Sequence, residues 1–462
     1  MQVEGKNGQK QKMNNNRFTK AKLFLIISTV LSLVFYWLIA HNIKRSDFYF
    51  FFPVYVGLFI NFLLFLKLTN HQNFKIFIWL GISFRLLFIF SIPTLSNDYF
   101  RFIWDGNLIS EGLNPYSHLP SELITQDGFK NSYFYNQLYE GMGNLSANNY
   151  TNYPPLNQLL FWLPSIFSKS IIFHIIFYRV IMIAADVGTL IISMKLLKIL
   201  NINEKNILLY FLNPFIIIEL TGNLHFEAVM IFFLVLSFYL LQINKRIFSS
   251  VFFAFAVLIK LIPLIFLPFI IRKTGIKRGF LYSVISGAII LVSFLPFLDT
   301  AFLENYTSSI NLWFQKFEFN ASIYYLVREI GYMVKGYNII QSAGPVLSII
   351  STVMILSLVF VQKNDKPVSF YSSMLFGLFA YYLFATTVHP WYISVLLILS
   401  VFTGYRFVVV WSFFIILSYY SYSSPVFKEN LWLNVIEYVA VLGFLTVEIF
   451  ILKKTISEKY MP

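Results

Sequence analysis

Apolar runs close to the ~20 residues that cross a bilayer recur along the chain and are separated by short polar segments, which predicts membrane-spanning helices. The expected spans are 23–41, 48–66 and 76–94, followed by a long polar stretch to Pro155. Further spans are expected at 171–197, 206–221, 224–243, 279–298, 340–361, 368–387, 390–405, 407–424 and 431–452. Segments of about ten alternating residues, which a membrane barrel requires, are not visible. Between 247 and 271 the pattern changes, because Lys260, Pro263 and Pro268 interrupt the apolar run. Two short half-helices that enter the membrane and return are expected there, since a bilayer tolerates a broken helix only under cover of protein. One straight helix is the simpler alternative. The predicted fold class is an all-α polytopic membrane protein with about 12 to 14 transmembrane or re-entrant helices.

Composition removes the soluble alternative. Of 462 residues, 58% are hydrophobic and 12% charged, too few polar groups to coat a water-soluble surface. Cysteine is absent, which excludes disulfides, thiolate metal sites and a cysteine nucleophile. The net charge of +14 raises the question of nucleic acid, but the basic residues lie between hydrophobic runs and not on one face. Membrane sorting explains them better: most of the Lys and Arg fall in residues 1–22, in turns expected to be cytoplasmic, and in the tail. Residues 1–22 therefore read as a cytoplasmic basic arm ahead of a retained first helix, and the C-terminus also reads as cytoplasmic.

Chemistry is expected in the external segments, above all in the loop 96–155. In Asn97-Asp98-Tyr99-Phe100-Arg101-Phe102-Ile103-Trp104-Asp105-Gly106, a helical period brings Asp98, Arg101 and Asp105 into one arc and leaves Tyr99, Phe100 and Ile103 elsewhere. That pattern predicts an amphipathic helix at the membrane surface, on which a carboxylate beside a cation could accept a proton from a hydroxyl. It equally fits a solvated face with Asp98 paired to Arg101. Gly112-Leu113-Asn114-Pro115-Tyr116 is a turn, and Tyr153-Pro154-Pro155 a proline start to another helix. Asn213-Pro214, Glu219, Gly222-Asn223, His225 and Glu227 place two acids and a histidine at external helix ends, and His389-Pro390-Trp391-Tyr392 lies at an outer boundary. Arg85, Arg179, Asp186 and Lys260 are intramembrane charges, which must face the bundle interior as structural pairs or as substrate contacts.

In this order, the Asp98 segment, the Asn114-Pro115-Tyr116 turn, Tyr153-Pro154-Pro155, Asn213-Pro214 with Gly222-Asn223 and His225, Lys260 with Pro263, and His389-Pro390-Trp391-Tyr392 resemble a family. It is the polyprenyl-phosphate-sugar-dependent glycosyltransferases of the GT-C superfold, especially bacterial mannosyltransferases of the cell envelope. The resemblance covers roughly residues 76–405. It implies a GT-C-like catalytic membrane domain over 71–405, with an additional N-terminal helical hairpin at 23–70 and C-terminal helices with a cytoplasmic tail at 406–462. It departs from the family at Asn97, where a second acid is expected, and at Glu227, where an Asn-Asp pair is more usual.

The resemblance implies transfer of a hexose, with mannose as the expected sugar, from a polyprenyl-phosphate sugar to a glycan, lipid or protein acceptor at the external or periplasmic face of the cell membrane. The reaction would be an inverting displacement with Asp98 as base and Asp105 as the second candidate. Arg101, Tyr153, His225, Glu227, Lys260 and His389 are the expected donor-phosphate and substrate contacts. No motif demands a cofactor, although Asp98 and Glu227 could converge on a divalent metal. A transporter or flippase of lipid-linked glycans is the alternative from another class; it would share the polytopic, charged character but would not need Asp98.

Overall fold

The computed structural model describes residues 2–362 and 367–460, with side chains described for 22–312, 316–362 and 367–451. The side chains of the basic arm before Lys22, most of the tail and residues 363–366 lie outside the described residues. Among the described residues, seven helices are long and apolar enough to cross a membrane, and a further pair passes the same test only if its two bent halves are taken together. Three shorter apolar helices, Arg246–Ile259, Pro390–Val401 and Phe407–Tyr422, fill the bundle between them. The protein is a polytopic helical membrane protein.

The expected span 76–94 stops early: the helix is Phe74–Leu86, and the chain then unwinds. The cause is Arg179, buried in the Ile171–Ile199 helix, whose guanidinium donates to the carbonyls of Phe88, Ile89 and Ser91. It also donates to Thr221 and Gly222, each at 3.0 Å. One cation thus satisfies the frayed ends of two helices, which in hydrocarbon would otherwise cost several kcal/mol per unpaired group. Arg85 and Asp186 form a fully buried ion pair at 2.8 Å, completed by the Tyr210 hydroxyl. These intramembrane charges are structural.

The expected helix 206–221 is also broken. Asn213 accepts from the Phe215 amide to start Pro214–Ile216, which widens into a π-helical turn at Ile217–Gly222. The chain then bends by 113° into Glu227–Gln242. Leu224, at φ 62°, takes a left-handed conformation costly for a non-glycine residue, the kind of strain that clusters at functional sites.

Between 247 and 271 the chain doubles back on itself. The helix Arg246–Ile259 ends at an extended Lys260, and a 3-10 turn and the helix Leu267–Thr274 follow. Near the start of the next helix, Ile276–Phe294, the Tyr282 hydroxyl bonds with Ser249, close to the start of Arg246–Ile259. Both helices therefore begin on the same side.

The helix Asp98–Ser110 does not lie at a surface. It is packed between Tyr133–Ala147 and Pro155–Ser165, and Gly106 approaches the Phe161 backbone so closely that a Cβ would clash with its carbonyl. The hairpin 23–70 is not peripheral either: Tyr55 donates to the Ser412 carbonyl at 2.6 Å, and Phe51 meets Tyr419 edge-on.

Single cysteines introduced at 245 and 275 are expected to react with an impermeant thiol reagent from the same side of the membrane, and one at 120 from the opposite side. Labelling of 275 together with 120 would mean that the 246–274 segment crosses the bilayer.

Candidate active site

The broken helices and the long loop converge on a cavity of about 400 Å³, within the range of small-ligand sites. Asp98, Arg101, Tyr153, His225, Glu227, Lys260 and His389 all line it. Asp105 does not. It is fully buried behind the helix, accepting from Arg101 Nε at 2.7 Å and from Gln158 Nε2 at 3.1 Å. The polar arc read from the helical period exists, but protein and not water satisfies it, and Arg101 pairs with Asp105 and not with Asp98.

Asp98 opens its helix, where the positive end of the peptide dipoles favours a carboxylate. Asn97 anchors that start by donating to the carbonyls of Gly141 and Met142 at 3.0 and 3.1 Å. The Asp98 side chain is 34% exposed, and that exposure is to the cavity. Burial pushes its carboxyl above the usual range; His225, Lys260 and Arg45 pull it back, and Glu227 pushes it further up. Arg101 donates to the carbonyls of Ser146 and Asn149, while its Nη2 has no hydrogen-bond partner among the described residues.

Across the cavity, Lys260 is held by its break in the helix. Asn157 donates to the carbonyl of Ile259 at 3.2 Å, and the Lys260 ammonium pairs with Glu227 and lies 4.7 Å over the Tyr392 ring. Glu227 is nearly fully buried at the start of its helix. The far wall is a stack: His225 on Trp391 at 3.8 Å, Trp391 on His389 at 4.6 Å, and His389 on Phe319 at 4.9 Å. Burial pushes His389 down to about 3, assisted by Lys260 and His225, so this ring stays neutral. Phe319 is fixed by backbone bonds to Thr386 and Val388, and the adjacent Asn320 is clamped by Glu437, Asn434 and Tyr438.

Tyr153 sets its ring edge-on against the stacked Phe102–Phe161 pair, and its carbonyl accepts from Tyr116 at 2.6 Å. The Asn114-Pro115-Tyr116 turn itself stays off the cavity and ties the loop to Phe297 and Asp299. Sequence reasoning missed Arg45, which the N-terminal hairpin brings to the cavity over the Tyr422 ring at 4.2 Å. It also missed Tyr419, Tyr422 and Phe319 as lining residues. Its only available signal was a cation in a short external turn. Among the described residues, no group of three or more His, Asp or Glu gathers in a metal-binding arrangement. Glu227 faces the Lys260 ammonium instead.

A cavity within a membrane bundle, with a carboxylate at a helix start and cations around it, fits an integral membrane enzyme. Residues 15–274 match the family model MptA_B, described as alpha-(1->6)-mannopyranosyltransferase, N-terminal domain. That match spans more than half of the chain; the protein belongs to this family and is a glycosyltransferase. No curated protein and no solved structure matches it.

Three outcomes follow from the different settings of the acids and cations. Asp105→Asn is expected to lower the melting temperature in detergent while turnover per folded molecule changes little, because its partner Arg101 loses a buried counter-charge. A stable but inactive Asp105→Asn protein would return Asp105 to the chemistry. With Asp98 as the base expected from the sequence, transfer should be lost on acidification already above the ordinary carboxylate range of about 4, because the raised Asp98 carboxyl gains its proton early as pH falls. Lys260→Gln removes a cation that lowers Asp98, so the acid limb at saturating donor should move to higher pH. A limb that stays put or falls would contradict this electrostatic account.

Proposed function

We propose that the protein transfers mannose from a polyprenyl-phosphate mannose to an acceptor hydroxyl at the external face of the cell membrane, by a single inverting displacement. The observation that carries this reading is the contrast between the two carboxylates of the cavity. Glu227 is ion-paired with Lys260, whereas Asp98 has no hydrogen-bonded cation and faces open space. A carboxylate left available at a helix start, with a raised proton affinity, is suited to remove a proton from a hydroxyl.

In the displacement, the acceptor oxygen forms a bond to the anomeric carbon while its proton passes to Asp98. The bond from that carbon to the phosphate oxygen breaks, and its electron pair leaves on the lipid phosphate. Charge develops on that phosphate, and fixed donors aimed at developing charge are the largest catalytic lever in a site sheltered from water. Lys260, Arg45 and the unpartnered Nη2 of Arg101 supply such donors. The family description names an alpha-(1->6) product; a single inversion delivers an α-linkage only from the β-anomer of the donor. Outside the cytoplasm a lipid-phosphate sugar serves where nucleotide sugars are not available. The external placement also agrees with the positive charges at the opposite end of the bundle, Arg272, Lys273, Lys277 and Arg278, with the termini on that cytoplasmic side.

Asp98→Asn keeps the side chain's shape and removes the base. Turnover should fall by about 10²- to 10⁴-fold while donor binding is unchanged. Wild-type turnover in this variant would refute the base assignment and, if lipid-linked glycan crossed the bilayer without release of free polyprenyl phosphate, would favour transport.

A further inference from the structure

We propose that His225 works as an imidazolium held between two carboxylates, Glu219 and Asp98, and that Glu219 is thereby a positioning residue for the base. This rests on the reading of Asp98 as that base.

The geometry begins with the chain break. His225 sits in the 113° bend between Pro214–Gly222 and Glu227–Gln242, forced there by the left-handed Leu224. Its Nδ1 lies 2.8 Å from the Glu219 carbonyl oxygen and 3.4 Å from the Glu219 carboxylate, so this nitrogen carries a proton. Its Nε2 lies 3.9 Å from Asp98 Oδ2 and has no hydrogen-bond partner among the described residues, although the ring is 2% exposed. A neutral ring would turn a lone pair toward the Asp98 carboxylate in a poorly solvated site. A charged ring turns a donor toward it, and a small shift in either side chain closes the bond.

Glu219 is built to serve that ring. It is fully buried in the π-helical turn, a feature frequent at functional sites, and accepts from Tyr419 at 2.8 Å and Asn223 at 3.2 Å. Neither of those donors is a cation, so His225 is the positive partner within reach. The other groups around the ring do not compete for this role. Lys260 is engaged by Glu227, Arg45 lies over Tyr422, and His389 on the opposite face of Trp391 is neutral. Trp391 stacks flat on His225 and fixes its plane. His225 keeps its proton throughout the reaction: the acceptor's proton goes to Asp98, and the imidazolium's part is to hold Asp98 ionised and aimed until then.

Nitrogen-15 histidine NMR on the purified protein in detergent reads the charge state directly and needs no substrate. His225→Phe, which keeps a ring against Trp391, identifies the resonances by their loss. Near neutral pH the wild type should show both His225 nitrogens protonated. In transfer assays at saturating donor, Glu219→Gln and His225→Phe should each move the acid limb to higher pH by about one unit, a tenfold loss of rate below the limb. The direction follows because the charged His225 lowers the Asp98 carboxyl, and either change removes that influence.

A neutral His225 in the wild-type spectrum would overturn the proposal, and that spectrum decides even where Glu219→Gln does not fold. A rate that falls evenly at every pH, with the limb unmoved, would overturn it too, since that marks a merely structural contact. A charged His225 in a protein whose Asp98→Asn variant turns over normally would overturn the reading of the base instead.

Discussion

A backbone carbonyl inside a membrane must find a donor in the protein, and the cavity of this molecule exists because Arg179 supplies donors to the ends of two interrupted helices at once. Without that guanidinium the chain after Leu86 and the turn at Gly222 would have to continue as regular helix. Asp98 and His225, which follow those two ends, would then not meet. The Arg85–Asp186 pair, with Asp186 about two turns beyond Arg179 on the Ile171–Ile199 helix, ties that helix to Phe74–Leu86. The charges that hydropathy marks as expensive are thus what allows irregular backbone at the site.

The same economy of charge governs the cavity. The cations of the cavity have fixed partners: Lys260 has Glu227, Arg101 has Asp105, and Arg45 has the face of Tyr422. Pairing holds these cations in place before any substrate arrives, so they need little reorganisation when charge develops on a leaving phosphate. It also leaves one carboxylate with unfilled acceptor capacity. The aromatic stack from His225 to Phe319 closes the far wall, and Phe319 is in turn held by the C-terminal helices through the bonds of Asn320 to Glu437 and Tyr438. Segments at both ends of the chain therefore shape the site.

Much of this was legible in the sequence where a residue's cost in lipid, or its place in an ordered series of motifs, gave a physical signal. The break at Lys260 and the convergence of Asp98, His225, Glu227 and His389 on one cavity are of that kind. Partner choice was not legible. Arg85 and Asp186 stand 101 positions apart, and nothing local distinguishes a buried pair from two substrate contacts. The Asp98–Ser110 helix was misread as a surface helix because periodicity reports polarity and not what satisfies it; here carbonyls of Ser146 and Asn149 stand where water was expected. Arg45 carried no pattern at all, being one arginine in a short turn.

The most direct measurement of the central claim is the stereochemistry of transfer. Purified protein would be given a polyprenyl-phosphate mannose of defined anomeric configuration with a mannoside acceptor, and the product linkage and released lipid phosphate followed by NMR. A single displacement in this cavity predicts turnover from the β-donor to an α-linked product, with one free polyprenyl phosphate released per linkage formed. A β-linked product from the β-donor, or transfer from a nucleotide sugar with the lipid donor left untouched, would contradict it.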